Sequence, residues 1–309
     1  MNSLRGRWSL AVLGTLLAAL AMLASQAASQ AVEGKRRPPI VGIAHIALQV
    51  TDETAARKFY GDLLGFEEVF QIPAGTGRPV VVFKINERQY IEIIPGLPPG
   101  EDDRLSHLAL ETTNIEELGL YLTDKGITIS ERVSRPADGN LTLTVTDPEG
   151  HRIEFVQYLP GSRHGKAKGR SLSPRRISDR MLHVGLTVTN VAAADRFYKE
   201  ALGFSEIWRG GSTDAVTSWI NMRVPDGTDY IEYMLITEPP NRQRLGVLHH
   251  LALQVPDIQK ALETLRQRPG ADNPATMRLP QVGRNNRWQL NLFDPDGTRA
   301  ELMEPFTMR

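Results

Sequence analysis

Four histidines and four glutamates recur in one order along the chain: His45, Glu92, His107 and Glu154, then His183, Glu232, His250 and Glu301. Imidazole nitrogen mixed with carboxylate oxygen is a donor set that several divalent metals accept. The chain has no cysteine, so thiolate zinc sites, disulfides and a cysteine nucleophile are excluded. Any metal must be held by His, Asp or Glu. A single histidine on a strand is usually a packing residue, and it is the repetition of the whole set that singles these positions out.

The neighbours of each candidate say which way it points, because side chains along a strand alternate between its faces. His45 shares a face with Ala47 and Gln49, while Ile46, Leu48 and Val50 take the other. His107 goes with Ala109, His183 with Gly185 and Thr187, and His250 with Ala252 and Gln254. Glu92, Glu154, Glu232 and Glu301 are each flanked by apolar residues that face the opposite way. Small and polar residues thus surround every candidate, and the apolar face is left for helices. A carboxylate in such a sheet is costly unless a cation compensates it. The remaining histidines are weaker: His249 must face away from His250, His151 lies in a turn, and His164 falls in a connecting segment.

An internal repeat supplies the strands that carry these residues. The segment from Val41 to Val50 returns from Asp179 to Val188, Leu64-Gly65-Phe66 returns as Leu202-Gly203-Phe204, and Tyr90-Ile91-Glu92 returns as Tyr230-Ile231-Glu232. Asp147-Pro148-Glu149-Gly150 returns as Asp294-Pro295-Asp296-Gly297, a turn into the last strand of each half. Each half divides again. The order β, α, β, β, β opens near residues 41, 104, 181 and 247, with helices over 52–63 and 115–124 in the first half. The fold class expected is α+β, with modules over 40–159 and 180–307 joined by a basic, breaker-rich linker at 160–179. How the units pair is not legible: each half closes on itself, or the first unit pairs with the fourth.

Composition narrows the partners. The 309 residues hold 36 Lys plus Arg against 36 Asp plus Glu, so no net field favours nucleic acid or an anionic membrane. The expected partner is a small molecule. At the start, Arg5 and Arg7 precede an uncharged run from Trp8 to Leu23, followed by small residues up to Ala31. That layout is a signal peptide over 1–31, which implies export, to the periplasm where the host has two membranes, and no membrane contact after cleavage. Trp208, Trp219 and Trp288 read as packing or wall residues.

The strand His, the Phe-Tyr then Leu-Gly-Phe helix exit, the Tyr-Ile-Glu strand, the second His and the Asp-Pro-x-Gly turn before the last Glu together resemble the vicinal oxygen chelate superfamily. That superfamily includes glyoxalase I, methylmalonyl-CoA epimerase, bleomycin-binding proteins and type I extradiol dioxygenases. The resemblance implies four βαβββ units forming two cup-shaped open barrels. It also implies a divalent ion (zinc, nickel, manganese, cobalt or iron) held by His45, Glu92, His107 and Glu154, and by His183, Glu232, His250 and Glu301. The His/Glu/His/Glu order is similar to the glyoxalase and epimerase branch, in which the metal stabilises an enolate and a ligand carboxylate acts as base. By that likeness Glu301 and Glu154 are the catalytic residues of an isomerase, epimerase or lyase. The four-unit length is instead similar to extradiol dioxygenases, whose metal ligands match His183, His250 and Glu301. Here the chain departs from them, with Glu232 in place of a His acid/base and Asn291 in place of a Tyr. A non-catalytic small-molecule-binding protein is the third reading.

Overall fold

The first strand of each half, β1 (Ile40–Val50) and β9 (Met181–Val188), is almost wholly buried, because one face packs on helices and the other lines a cup. The structure, a computed structural model, describes residues 36–75, 77–98, 101–273 and 275–306. In the first half β1 is followed by α1 (Glu53–Arg57), which runs into a π-helical segment (Lys58–Leu63), and by β2 (Glu67–Ile72), β3 (Val80–Lys84) and β4 (Tyr90–Pro95). The second unit is β5 (Leu105–Thr112), α2 (Ile115–Asp124), β6 (Ile129–Ser134), β7 (Leu141–Thr146) and β8 (Arg152–Gln157). After a linker carrying α3 (Arg163–Lys166), the second half repeats the order. It comprises β9, α4 (Val191–Asp195) with its π-helical continuation (Arg196–Ala201), β10 (Ser205–Gly210), β11 (Trp219–Arg223) and β12 (Tyr230–Leu235). Then come α5 (Arg242–Leu248), β13 (Leu251–Gln254), α6 (Ile258–Arg266), β14 (Gln281–Val282), β15 (Trp288–Phe293) and β16 (Arg299–Met303).

Helix starts are written locally. Asp52, Asn114, Asn190 and Asp257 each turn a side-chain oxygen onto the first backbone N–H groups of the following helix. The helix expected over 52–63 changes to π-helical geometry midway, and among the described residues α5 has no counterpart in the first half.

Each half curls into one eight-stranded sheet, ordered β2-β3-β4-β1-β5-β8-β7-β6 and β10-β11-β12-β9-β13-β16-β15-β14. The central strands β1 and β5 are antiparallel, while β1 and β4, and β5 and β8, are parallel. Each half therefore closes on itself, and the candidate donors of one cup come from one half. On the opposite faces a single apolar core draws on both modules, with Ile43, Phe59 and Phe155 in the same cluster as Val184, Phe197 and Leu302.

The Asp-Pro-x-Gly turns tie the modules together reciprocally. Tyr60 donates its hydroxyl to Asp294 at 3.0 Å, and Tyr198 donates to Asp147 at 2.8 Å. Asp296 accepts from the Thr51 backbone and Glu149 from the Thr189 and Asn190 backbones. Gly150 and Gly297 hold φ near +94° and +84°, a conformation that glycine adopts without a Cβ clash. Tyr198→Phe leaves the buried Asp147 carboxylate without one donor, so it is expected to cost about 1–3 kcal/mol. A urea titration checks this, and an unchanged midpoint would show that the tie contributes nothing.

The segment 160–179 is exposed or half-buried along most of its length, but not throughout. Ser162 caps α3, His164 is only 4% exposed, and its Nδ1 lies 2.7 Å from the Asn140 amide. A four-residue helix is too short to show periodicity, and its basic residues hid its one buried ring. The signal peptide expected at 1–31 lies outside the described residues. Among the described residues no helix is long and apolar enough to cross a membrane.

Candidate metal centres

Strand register gathers the eight candidates into two cups; in each, three donors lie within 4.8 Å of one another, while Glu154 and Glu232 approach the histidines but stand outside those sets. In the first cup β1 and β4 run side by side with Ala47 opposite Glu92, and β5 and β8 place Ala109 opposite Glu154. In the second cup Gly185 faces Glu232 and Ala252 faces Glu301. Small residues at these crossings leave room for the rings. His45 and His107 point their Nε2 atoms at each other across 2.9 Å, and His45 Nε2 lies 3.8 Å from Glu92 and 3.7 Å from Glu154. In the second cup His183 Nε2 and His250 Nε2 are 3.0 Å apart. Glu232 lies 3.8 Å from His183 and 3.6 Å from His250, and Glu301 lies 3.9 Å and 3.6 Å from the same two. The ring pairs share one geometry, nearly perpendicular with centroids 5.1 Å apart in both cups.

These separations fit a cation. With ligand bonds of about 2.0–2.1 Å, two nitrogens at right angles around an ion sit about 3 Å apart. His45, Glu92 and His107 bring donor atoms within 4.8 Å of one another, as do His183, His250 and Glu301. His250 also has its tautomer set, because its Nδ1 must donate to the Leu248 carbonyl at 2.9 Å, leaving the Nε2 lone pair on the cup side, where Arg299 Nη2 lies 2.9 Å from it and must give way to an ion.

The electrostatics point the same way. Burial presses His45 down to about 3, and it holds His107, His183 and His250 well below the usual imidazole range. Burial also lifts Glu92 to about 7, and burial together with the neighbouring Glu301 lifts Glu232 to about 8. Glu154 is pushed well up and Glu301 up, again chiefly by burial. Without a cation the cups hold neutral rings, which are ready to ligate, and proton-seeking carboxyls; a divalent ion keeps the rings neutral and reverses only the preference of the carboxyls.

Glycine is required at one point. A Cβ on Gly185 would lie 2.1 Å from His250 Nδ1 and 2.5 Å from the Leu248 carbonyl oxygen. Gly185→Ala is therefore expected to displace His250 and weaken cation binding in the second cup by at least about tenfold. A competition titration with a chelating indicator checks this; unchanged affinity would mean that His250 is not a ligand.

The two cups differ above this shared floor. A cavity of about 250 Å³ opens on Glu232 and Glu301, walled by Trp208, Trp219, Gln289 and Arg299 and by the β14–β15 turn at Gly283, Arg284 and Asn285. Arg299 turns inward, with its side chain 14% exposed, 2.9 Å from the His250 ring nitrogens and 3.8 Å from Glu301. Its counterpart Arg152 turns outward to Glu131 and is 52% exposed. Beside the second cup's carboxylates stand Asn221 and Asn291, whose buried carbonyl oxygens have no hydrogen-bond partner among the described residues. The first cup has Val82 and Thr144 in those positions.

His151 and His249, set aside as metal ligands from sequence, meet at the seam between the modules. Their Nε2 atoms lie 3.1 Å and 3.0 Å from Thr187 Oγ1, and their Nδ1 atoms face Asp147 and Asp103. The signal missed was long-range, since Asp103 and His249 are brought together only by packing of one half on the other. Trp208 and Trp219 are indeed wall residues, while Trp288 packs on the core.

Comparison with known proteins agrees with the two-module fold. The family model of the Glyoxalase/Bleomycin resistance protein/Dioxygenase superfamily matches residues 42–155 and 180–302. An iron-dependent extradiol dioxygenase of Rhodococcus jostii (strain RHA1) is 30% identical over 128 residues, which is 37% of this chain and 42% of that relative. Among solved structures, the 2,3-dioxygenase LapB from Pseudomonas sp. KL28 superposes with a TM-score of 0.62 at 16% identity, over 87% of this chain and 93% of that one. A variant of homoprotocatechuate 2,3-dioxygenase from B. fuscum gives 0.64 at 21% identity, over 86% and 72%. At those identities the structural likeness speaks for the fold alone.

Proposed function

The chain belongs to the Glyoxalase/Bleomycin resistance protein/Dioxygenase superfamily, and from that premise we propose that its second module is a metal-dependent catalytic centre for a small molecule presenting two adjacent oxygens. The observation that carries this reading is the convergence of His183 and His250 on Glu232 and Glu301, the two carboxylates that line an open cavity. A cavity of about 250 Å³ suits a substrate smaller than a drug-sized ligand. When bound, a divalent cation supplies Lewis-acid stabilisation of negative charge on the chelating oxygens.

The chain's own groups do the rest. Glu301 is placed to take a proton from carbon beside a carbonyl, and burial already favours its proton-bound form. Glu154 holds the matching place in the first cup. The Arg299 guanidinium offers a fixed positive charge to the substrate's anionic side, and the indoles of Trp208 and Trp219 wall off water.

Donor count favours proton-transfer chemistry of the isomerase, epimerase or lyase type. Four protein donors on a six-coordinate ion leave about two positions, enough for a chelating substrate but not for dioxygen as well. A ring-cleaving dioxygenase is the second reading, favoured by the relative from Rhodococcus jostii and by the His183, His250 and Glu301 triad. If Glu232 stays off the metal, about three positions open and that reading gains. Two assays separate them. Solvent deuterium should enter the carbon acid of a 2-hydroxycarbonyl substrate in the first case, and Fe(II)-dependent oxygen uptake with a catechol should appear in the second. Neither signal in the fully metal-loaded protein would remove the enzyme reading. Export is part of the same proposal, resting on Arg5, Arg7 and the uncharged run after them. Amino-terminal sequencing of the protein made in its host should begin near Ala28 or Val32, and a start at Met1 would remove it.

A further inference from the structure

The linker's buried histidine sits in the first cup. The rings that surround His164, and the Asn140 amide beside it, belong to that cup's concave face. Phe70 lies opposite Val82, which lies opposite Glu92, and partners directly across a sheet share a face. Tyr90 and Tyr158 alternate into the cup with Glu92 and Glu154, and Asn140 alternates with Thr142 and Thr144, the latter opposite Glu154. The His164 ring lies 4.5 Å from that of Tyr90, 4.8 Å from Phe70 and 4.9 Å from Tyr158, centroid to centroid.

The same two lips stand open in the second cup. Its cavity lies between Trp208, which the register makes the equivalent of Phe70, and the β14–β15 turn, which corresponds to the β6–β7 turn. In the first cup His164 bridges these lips, touching Phe70 on one side and Asn140 and Asp138 of the turn on the other. The bridge is clamped. Lys84, fully buried and on the same face as Val82, donates to the Ala167 and Arg170 carbonyls at 2.7 and 2.9 Å, and Arg163 N donates to the Asp138 carbonyl at 2.8 Å.

We infer that the linker is a built-in occupant of the first cup: it spans the mouth with His164, keeps a chelating ligand out, and confines substrate to the second cup. Water and cations still reach the donors, since Glu154 keeps 17% of its side-chain surface. What the linker removes is the space between the walls. The two similar donor sets then serve different ends, the first cup holding an ion and the second holding an ion with substrate. This inference rests on the proposed reading of the second module as a chelating site.

Cobalt(II)-loaded protein and tropolone, a small planar chelator with two adjacent oxygens, test it through the visible cobalt spectrum. One tropolone per chain is expected to perturb the spectrum, in wild type and in His45→Ala alike, with no response in His183→Ala. Two variants, His164→Ala and Lys84→Met, each checked for folding by circular dichroism, should gain a second equivalent. Two equivalents in wild type, or a response surviving in His183→Ala, would overturn the occlusion while leaving the chelating site intact. A folded His164→Ala and Lys84→Met pair that both fail to gain a response would also overturn it. If wild type is silent but His164→Ala responds through His45, the occlusion stands and the reading of the second module fails.

Discussion

The His183→Ala variant is expected to lose one cation per chain and at least about 10³-fold in turnover, because Lewis-acid stabilisation is a matter of several kcal/mol and each tenfold in rate is about 1.4 kcal/mol. His45→Ala should lose the other cation and keep most of its turnover. The asymmetry follows from the cups. His183 stands under a cavity that reaches Glu232 and Glu301, whereas His45 stands in a cup whose mouth carries a residue of the linker. Turnover and elemental analysis on the same preparations check it; equal loss in the two variants would mean that both cups work, or that neither works alone.

Metal addition should stabilise the protein far more at pH 8 than at pH 6. In the cation-free protein Glu92 and Glu232 are lifted from 4.5 to about 7 and about 8 by burial, so the native state holds protons that the unfolded chain has released. The stability this brings is complete below 4.5 and is lost as pH rises through 7 and 8. His45 runs the other way: depressed from 6.5 to about 3, it favours the fold above 6.5 and costs stability as pH falls toward 3. A cation needs those carboxylates ionised, so its binding displaces their protons and tightens as pH rises. At a metal concentration near a thousand times the dissociation constant, each site should contribute about 4 kcal/mol, on the order of 10 °C in Tm for a chain of this size. Thermal melts with and without added zinc at the two pH values measure it. An equal gain at both would mean that the glutamates are not ligands.

Much of this site is legible in sequence because strands alternate. Ile91 and Ile93 on either side of Glu92, and Leu302 after Glu301, say which way each carboxylate points, and the repeat says that the arrangement occurs twice. Pairing of the units is not legible, since β1 offers the same pattern to any partner, and only the folded chain sets it antiparallel to β5 within its own half. The same holds for Arg152 and Arg299, alike in sequence but turned outward and inward by different neighbours. His164 is the largest miss. Its place among basic and breaker residues argues for solvent, while its burial depends on Phe70, Tyr90 and Tyr158, each remote in sequence from a four-residue helix.

The most direct test is the metal content of purified protein saturated with a divalent ion and then dialysed, measured alongside His45→Ala and His183→Ala. Two equivalents per chain are predicted for the wild type and one for each variant. A wild-type chain that retains no ion, or variants that retain as much as the wild type, would contradict the claim that these imidazoles and carboxylates are ligands.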